Sequence, residues 1–312
     1  MRRGLVLGCG GPVGFAWTVA TLRELELAWD WDARTAEVII GTSAGAELAC
    51  LLGGDVPLGD VLAALSGPDQ APDWLVRHVG VDAGRLPGRP APRIGSTGLA
   101  MRAMRLKAPA LAGLVGLLPV VEGDAGWLRE LAERLASADG WVEHPATWLV
   151  AADADTGERV AFGAPGAPPA TLAEAVNASW GLPMWLAPVT IGGRRYIDGG
   201  VLSPASADLA APLGLDELVV LAPMASSRPG RPVGLLARGE RLVRRRMTRI
   251  LDAEISTVES AGTVVRRFEP TGRDLAVMGA NFMDRRRQAA TIVCATASAR
   301  EALALEGTEL PC

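Results

Sequence analysis

Two hydrophobic segments near the start of the chain each run directly into a glycine-rich turn and then a helix. The first is Gly4–Gly8, which leads into Cys9–Gly14 and a helix that carries Val19, Leu22, Leu25 and Leu27. The second is Glu37–Ile40, which leads into Gly41–Gly45 and a helix that reaches Leu52. Successive strand, turn and helix units place parallel strands side by side. This pattern predicts an α/β fold with a mostly parallel sheet.

The segment from Pro68 to Val121 interrupts that pattern. It is rich in proline and glycine, and no strand-like alternation is visible in it. We therefore expect a single domain over 1–312 with an insertion or flap at about 68–121. Regular patterns resume beyond the insertion and predict two helices and several strands. The helices are Trp127–Ala136 and Val233–Glu259, and the strands are Thr147–Ala151, Glu158–Phe162, Val189–Tyr196, Leu218–Leu221 and Val264–Phe268.

Composition and charge exclude several classes of function. Acidic residues outnumber basic residues by 35 to 31, so the net charge of -4 argues against a nucleic-acid partner. The four cysteines are scattered, which indicates no zinc site, no disulfide framework and a reducing cytoplasm as the location. No metal or cofactor is predicted. No apolar stretch approaches the ~20 residues of a spanning helix, so the sequence predicts a soluble or peripheral protein.

The pentapeptide Gly41-Thr42-Ser43-Ala44-Gly45 matches the GxSxG pattern. A nucleophile on a sharp turn between strand and helix needs small residues on either side, because the two elements must close together. Ser43 would then stand at a helix N-terminus, where the dipole favours developing negative charge. A tight turn without catalytic function explains the pentapeptide equally well, so the assignment needs partner residues.

The glycine-rich turn that follows the first strand has three interpretations. The amides of Gly10 and Gly11 can form an oxyanion hole, because glycine permits close approach of the backbone. A dinucleotide fingerprint is the second, with Asp30 or Asp32 as the acidic residue, although Val13 occupies the position of its last glycine. The third interpretation is a plain turn with no ligand.

A nucleophilic serine needs a base, and the chain contains only two histidines, His78 and His144. His78 lies in the proline-rich segment and His144 precedes a proline, so neither has an obvious position beside a serine. A carboxylate can accept the proton instead. Asp198, followed by Gly199 and Gly200, comes just after a predicted strand and is a candidate base, although an ordinary Asp-Gly turn has the same sequence.

Four separated segments in this order resemble the patatin-like phospholipases. They are the glycine turn ending at Gly14, the pentapeptide Gly41–Gly45, the stretch Ala178–Pro188 and Asp198-Gly199-Gly200. The resemblance implies a three-layer α/β/α sandwich and a Ser-Asp dyad that cleaves lipid acyl esters through an acyl-enzyme, without a metal. It assigns Ser43 as the nucleophile, Asp198 as the base and the amides of Gly10 and Gly11 to the oxyanion hole.

The chain departs from the family pattern at one charged position. The family has an arginine before the last glycine of its loop, and this chain has Val13 there. The backbone donors of the loop are unaffected. The alternatives that remain open are a serine hydrolase with a histidine base and a binding module for nucleotides or lipids.

Three further expectations concern contact with lipid. Trp180 and Trp185 would line the site. The insertion would cover Ser43 and guide the acyl chain through Leu111, Leu114, Val115, Leu117 and Leu118, unless these leucines simply pack on the sheet. Arg244–Arg246 and Arg285–Arg287 are basic runs of the kind that usually form solvated helix faces, with lipid headgroups or a partner as the alternative ligand.

Overall fold

The protein is described by a computed structural model that covers residues 1–67, 71–82, 84, 90–94, 119–121, 125–228, 230 and 234–308. Strands β1 to β10 are, in order, Arg3–Leu7, Ile39–Thr42, Pro90–Ile94, Pro119–Val121, Thr147–Asp153, Arg159–Phe162, Val189–Ile191, Arg194–Asp198, Glu217–Leu221 and Val264–Phe268. Helices α1 to α9 are Gly11–Trp29, Ala44–Gly53, Leu58–Ser66, Asp73–Gly80, Gly126–Leu135, Leu172–Ser179, Leu235–Ser260, Gly272–Met278 and Gln288–Thr308. Short 3₁₀ turns occupy Ala33–Thr35, Gly199–Val201, Ala207–Leu213 and Arg285–Arg287.

The main sheet has the strand order β10-β9-β1-β2-β5-β8-β7, and β6 pairs with β5. The pairs among β10, β9, β1, β2 and β5 are parallel. The pairs of β5 with β6 and β8, and of β7 with β8, are antiparallel. The predicted α/β class with a mostly parallel central sheet is therefore confirmed.

Both faces of the sheet are covered by hydrophobic cores. Along β1, Leu5 and Leu7 point into a core formed with α1, α2, α5 and α6, whereas Val6 points into a second core that contains residues of α7. Successive side chains of a strand point to opposite faces, so a strand buried on both faces reads as a continuous apolar run. This accounts for the short hydrophobic segments of the sequence and gives the three layers of the fold.

Two expectations about local structure are wrong. The predicted single strand Val189–Tyr196 is a hairpin of β7 and β8, because Gly192 and Gly193 both adopt positive φ and reverse the chain. The insertion, in which no strand was expected, contains the antiparallel pair of β3 and β4 as well as α4. The leucines proposed to guide the acyl chain lie outside the described residues. Among the helices that are described, none has the length and apolar character needed to cross a bilayer.

Candidate active site

Ser43 occupies a strained turn between β2 and α2. Its backbone has φ 57° and ψ −121°, a left-handed conformation that non-glycine residues rarely adopt, and its side chain is buried. The flanking glycines make the turn possible, since a Cβ on Gly41 would lie 2.4 Å from the Gly45 carbonyl oxygen. A Cβ on Gly45 would lie 2.0 Å from the carbonyl oxygen of Leu7 in β1. The close packing explains why the sequence has glycine at both positions.

Ser179, the last residue of α6, holds the backbone of this turn. The Ser43 amide N–H donates to Ser179 Oγ at 2.8 Å, and Ser179 Oγ donates to the Val150 carbonyl of β5 at 2.6 Å. Ser179 is fully buried. It therefore connects the strained turn to the centre of the sheet. Sequence alone assigns no role to Ser179, because this contact joins residues 136 positions apart.

The strand pairing brings Asp198 to the same place as Ser43. Val150 of β5 pairs with Thr42 of β2, and the next residue, Ala151, pairs with Asp198 of β8. The opposite edge of β5 at both positions is occupied by β6. Strands β2 and β8 therefore lie against the same edge of β5. The last residue of β2 is next to the last residue of β8. The residue after Thr42 is Ser43, so the two side chains meet at this junction.

The Asp198 carboxyl group is fully buried, and burial raises its pKa to about 7. Two hydrogen bonds oppose this effect and lower the pKa, one from the Ser43 hydroxyl and one from the Gly200 amide N–H, which donates to Oδ1 at 2.7 Å. A carboxylate with a pKa near neutrality that contacts a serine hydroxyl has the properties of a general base.

Gly10 and Gly11 form the start of α1 beside this pair. The neighbouring amide of Cys9 donates to a backbone carbonyl at 2.8 Å, and that of Val13 donates to the Phe282 carbonyl at 3.1 Å. Within the described part of the chain, the amides of Gly10 and Gly11 have no protein acceptor. Free N–H groups at a helix start can stabilise an anion. These two amides are therefore available to a developing oxyanion.

A cleft of about 240 Å³ opens over these residues. Its floor contains Ser43, Asp198, Gly10, Gly11 and Gly200. Its walls are apolar and are formed by Trp180, Leu182, Pro183, Trp185, Val201, Met224, Val243, Met247, Phe282 and Met283. The cleft thus brings together the predicted nucleophile, base and oxyanion donors, and it includes both tryptophans expected to line the site.

The insertion reaches the edge of this cleft at one described residue. Trp185 Nε1 donates to the Gly84 carbonyl at 3.0 Å. This hydrogen bond attaches the chain just beyond α4 to the wall of the cleft.

The remaining motif glycines pack the site together. A Cβ on Gly14 would lie 3.2 Å from the ring of Pro223, and one on Gly199 would lie 2.7 Å from the Val150 carbonyl oxygen. A Cβ on Gly200 would lie 2.9 Å from Cys9 Sγ and 3.0 Å from Asp198 Oδ1. A side chain at Gly200 would displace Cys9 or Asp198, and one at Gly199 would meet the backbone of β5.

The two histidines have other partners. His78 Nε2 on α4 lies 3.0 Å from Glu47 Oε1 on α2, and both side chains are buried. His144 Nε2 donates to the Ala36 carbonyl at 2.7 Å. Neither residue lines the cleft that contains Ser43. This arrangement gives no support to a histidine base.

The acidic residues considered for a dinucleotide site also lie away from the cleft. Asp30 caps the C-terminal end of α1, which has 19 residues and is therefore about 28 Å long. Asp32 is paired with Arg34 at 2.7 Å near the same end. The glycine turn is at the opposite end of the helix, so these carboxylates are not placed to bind a ribose whose phosphates lie at the turn. Among the described residues, no group of three His, Cys, Asp or Glu side chains can hold a metal ion.

The basic run at Arg244–Arg246 is not uniformly solvated, contrary to expectation. Arg244 is buried and donates to the Pro223 carbonyl at 2.5 Å and to Glu240 at 2.7 Å. Burial lowers the pKa of its guanidinium group. Arg244 therefore anchors α7 to the segment that packs against the glycine turn, whereas Arg245 is exposed.

The family model described as patatin-like phospholipase matches residues 5–211. This range contains the glycine turn, Ser43 and Asp198, but not the wall residues from Met224 onward. A search of curated proteins found no match to the sequence.

Proposed function

The chain belongs to the patatin-like phospholipase family, and we propose that it hydrolyses acyl esters of lipids with Ser43 as nucleophile and Asp198 as general base. The observation that carries this proposal is the position of the strained, buried Ser43 beside the buried carboxyl group of Asp198, whose pKa the Ser43 hydroxyl lowers. This pair lies at the floor of an apolar cleft.

The proposed reaction has two steps. Asp198 accepts the Ser43 proton while Ser43 Oγ attacks the ester carbonyl, and the amides of Gly10 and Gly11 stabilise the oxyanion. The tetrahedral intermediate then expels the alcohol, which takes the proton from Asp198 and leaves an acyl-enzyme. A water molecule repeats the sequence, because it gives a proton to Asp198 and attacks the acyl group. Collapse of the second intermediate returns the proton to Ser43 and releases the acid.

The wall of the cleft supports a lipid substrate. The described residues that form it are apolar, and burial of an acyl chain against them stabilises the complex by about 0.8 kcal/mol for each buried methylene group. The missing loop arginine leaves this catalytic proposal unchanged, since Val13 is buried and the two amides belong to the backbone. The cytoplasmic location inferred from the cysteines stays a prediction, as does a peripheral contact with membranes.

A fluorophosphonate probe, which reacts covalently with activated serines, tests the proposal. Wild-type protein should be labelled and should hydrolyse p-nitrophenyl esters, and Ser43→Ala should lose both properties. Ser206→Ala is a matched control, because Ser206 is also buried with a positive φ of 61° and does not line the cleft. It should retain labelling and turnover.

Two outcomes contradict the proposal. Labelling that persists in Ser43→Ala would place the nucleophile elsewhere. A folded wild-type protein that neither reacts with the probe nor hydrolyses esters would favour the alternative of a lipid-binding module on the same fold.

A further inference from the structure

Helix α7 carries a stripe of basic residues on its solvent-facing side. Arg238, Leu242, Arg245 and Arg249 follow at intervals of four, three and four residues, which places them on one face of a helix. All four are exposed, and the side chain of Leu242 is 66% exposed. We call these four residues the α7 stripe.

The arginines of the α7 stripe differ from other arginines of the same helix. Arg241 and Arg244 pair with Glu240 at 2.9 Å and 2.7 Å. No carboxylate among the described residues forms an ion pair with Arg238, Arg245 or Arg249. The guanidinium groups of the α7 stripe are therefore available to a partner.

Charge is distributed unevenly along the helix. Residues 235–250 contain six arginines and one glutamate, whereas residues 251–260 contain three acidic residues and no basic residue. The protein as a whole has a net charge of -4. A local positive surface on an acidic protein is complementary to an anionic partner.

The opposite side of α7 faces the candidate active site. Val243 and Met247 line the cleft above Ser43, and the buried side chains of Leu251 and Ile255 anchor the helix in the core. The N-terminal half of α7 thus separates the cleft from the α7 stripe. A surface that binds the stripe would lie next to the wall of the cleft.

We propose that the α7 stripe docks the protein on an anionic lipid surface. Arg238 and Arg249 are 11 positions apart, so the stripe extends over about 16 Å and can contact several headgroups at once. Each arginine near an anionic membrane surface strengthens binding by about fivefold, and Leu242 can insert between the headgroups. Docking in this orientation holds against the membrane surface the helix whose other side forms the apolar wall with Val243 and Met247.

Vesicle binding tests this surface without any dependence on the proposed chemistry. Co-sedimentation is measured in the Ser43→Ala background, with vesicles of phosphatidylcholine alone or with about 30 mol% phosphatidylglycerol. The protein should bind the anionic vesicles at least about tenfold more tightly, and high salt should weaken binding. R238Q/R245Q/R249Q should reduce the affinity for anionic vesicles by about 100-fold, since three contributions of about fivefold multiply.

A matched variant separates the α7 stripe from net charge. R77Q/R273Q/R300Q removes the same charge from exposed positions on α4, α8 and α9, and it should change vesicle affinity less than about threefold. Leu242→Ser should weaken binding by about three- to tenfold and leave the salt dependence unchanged. Melting temperatures of all variants are compared with the parent. R238Q/R245Q/R249Q should leave it unaltered, whereas R77Q/R273Q/R300Q also breaks the ion pairs of Arg273 with Glu301 and of Arg300 with Glu24, so its vesicle affinity is compared per folded protein.

Turnover gives a second readout, which rests on the proposed function. With Ser43 intact, R238Q/R245Q/R249Q should retain hydrolysis of a water-soluble ester and lose hydrolysis of an ester presented in anionic vesicles. The proposal is overturned if the protein does not bind anionic vesicles, or if the two triple variants lose vesicle affinity equally. Equal affinity for neutral and anionic vesicles overturns it as well.

Discussion

The two sides of the cleft are built in different ways. The floor comes from residues inside the family match, and its functional groups are fixed by hydrogen bonds such as the one from the Ser43 amide to Ser179. Much of the wall comes from beyond residue 211, and it consists of side chains such as Met247 and Phe282 that meet the cleft with apolar atoms. Both sides converge on the same small volume.

For the proposed reaction, this difference separates the residues that carry out the chemical step from the residues that contact the acyl chain. Hydrogen bonds and a strained backbone tolerate little displacement, so a change in the floor should affect every ester alike. Apolar packing is not directional, so a change in the wall should alter which chain fits and leave the reaction itself intact.

The largest effect is expected for Asp198→Asn. Asparagine retains the shape of the side chain but cannot accept the Ser43 proton, so kcat/KM should fall by at least ~10³ for esters of every chain length. Steady-state kinetics on a series of p-nitrophenyl esters measures this.

Histidine variants provide the contrast for this prediction. His144→Ala should change kcat/KM less than about threefold, because His144 bonds to the Ala36 carbonyl away from the cleft. His78→Ala removes the buried partner of Glu47 and should lower stability, so its specific activity is compared per folded protein. A loss from either histidine that matches the loss from Asp198→Asn would restore a histidine base.

Ser179→Ala should have the next largest effect. The substitution removes the acceptor of the Ser43 amide and leaves that buried N–H unpaired, so the strained turn loses a constraint. We expect kcat to fall by about 10- to 50-fold with little change in KM, because Ser179 positions the nucleophile and does not line the cleft.

Ser179→Thr retains the hydroxyl group and should recover part of the lost kcat. A purely structural role would instead lower the melting temperature of Ser179→Ala and leave the kcat of the folded fraction unchanged. Measurement of both quantities for both variants distinguishes the two roles.

The two sides also differed in how far the sequence predicted them. The floor motifs are local, since Gly41, Ser43 and Gly45 lie within five residues and their spacing alone suggested the turn. The junction of β2 and β8 on one edge of β5 was not predictable, because it depends on pairing between distant strands. The position of Asp198 before two glycines at a strand end made it a candidate base from the sequence, and the family resemblance then assigned it that role.

The wall was harder to predict because it depends on long-range packing. Met224 and Met283 carry no motif and reach the cleft only through the docking of segments after residue 211. On α7 the apolar Leu242 is exposed, whereas the charged Arg244 is buried. Helical periodicity identifies a helix but does not decide which stripe is buried when arginines separate the leucines.

The pH dependence of turnover should reflect the buried base. Burial raises the pKa of Asp198 to about 7, and the base acts only when it is ionised. As pH falls below about 7 the carboxylate becomes protonated, so kcat/KM should fall about tenfold per pH unit, and above pH 7 it should level off. A profile that is flat from pH 5 to pH 8 would contradict the assignment of Asp198 as the base.

The smallest and most selective effect is expected in the wall, at Val243. This half-buried residue of α7 lines the cleft, so Val243→Trp should fill part of its volume of about 240 Å³. Each methylene that can no longer be buried costs about 0.8 kcal/mol, or about fourfold in kcat/KM. We therefore expect kcat/KM to fall by about 15-fold for esters whose acyl chain has two methylenes that no longer fit in the cleft. For acetate esters, kcat/KM should change less than about twofold. Val293→Trp places the same side chain on an exposed position of α9 and should leave the profile unchanged. If Val243→Trp instead lowers acetate and long-chain turnover equally at an unaltered melting temperature, the wall contributes to the chemistry, and the proposed division between floor and wall fails.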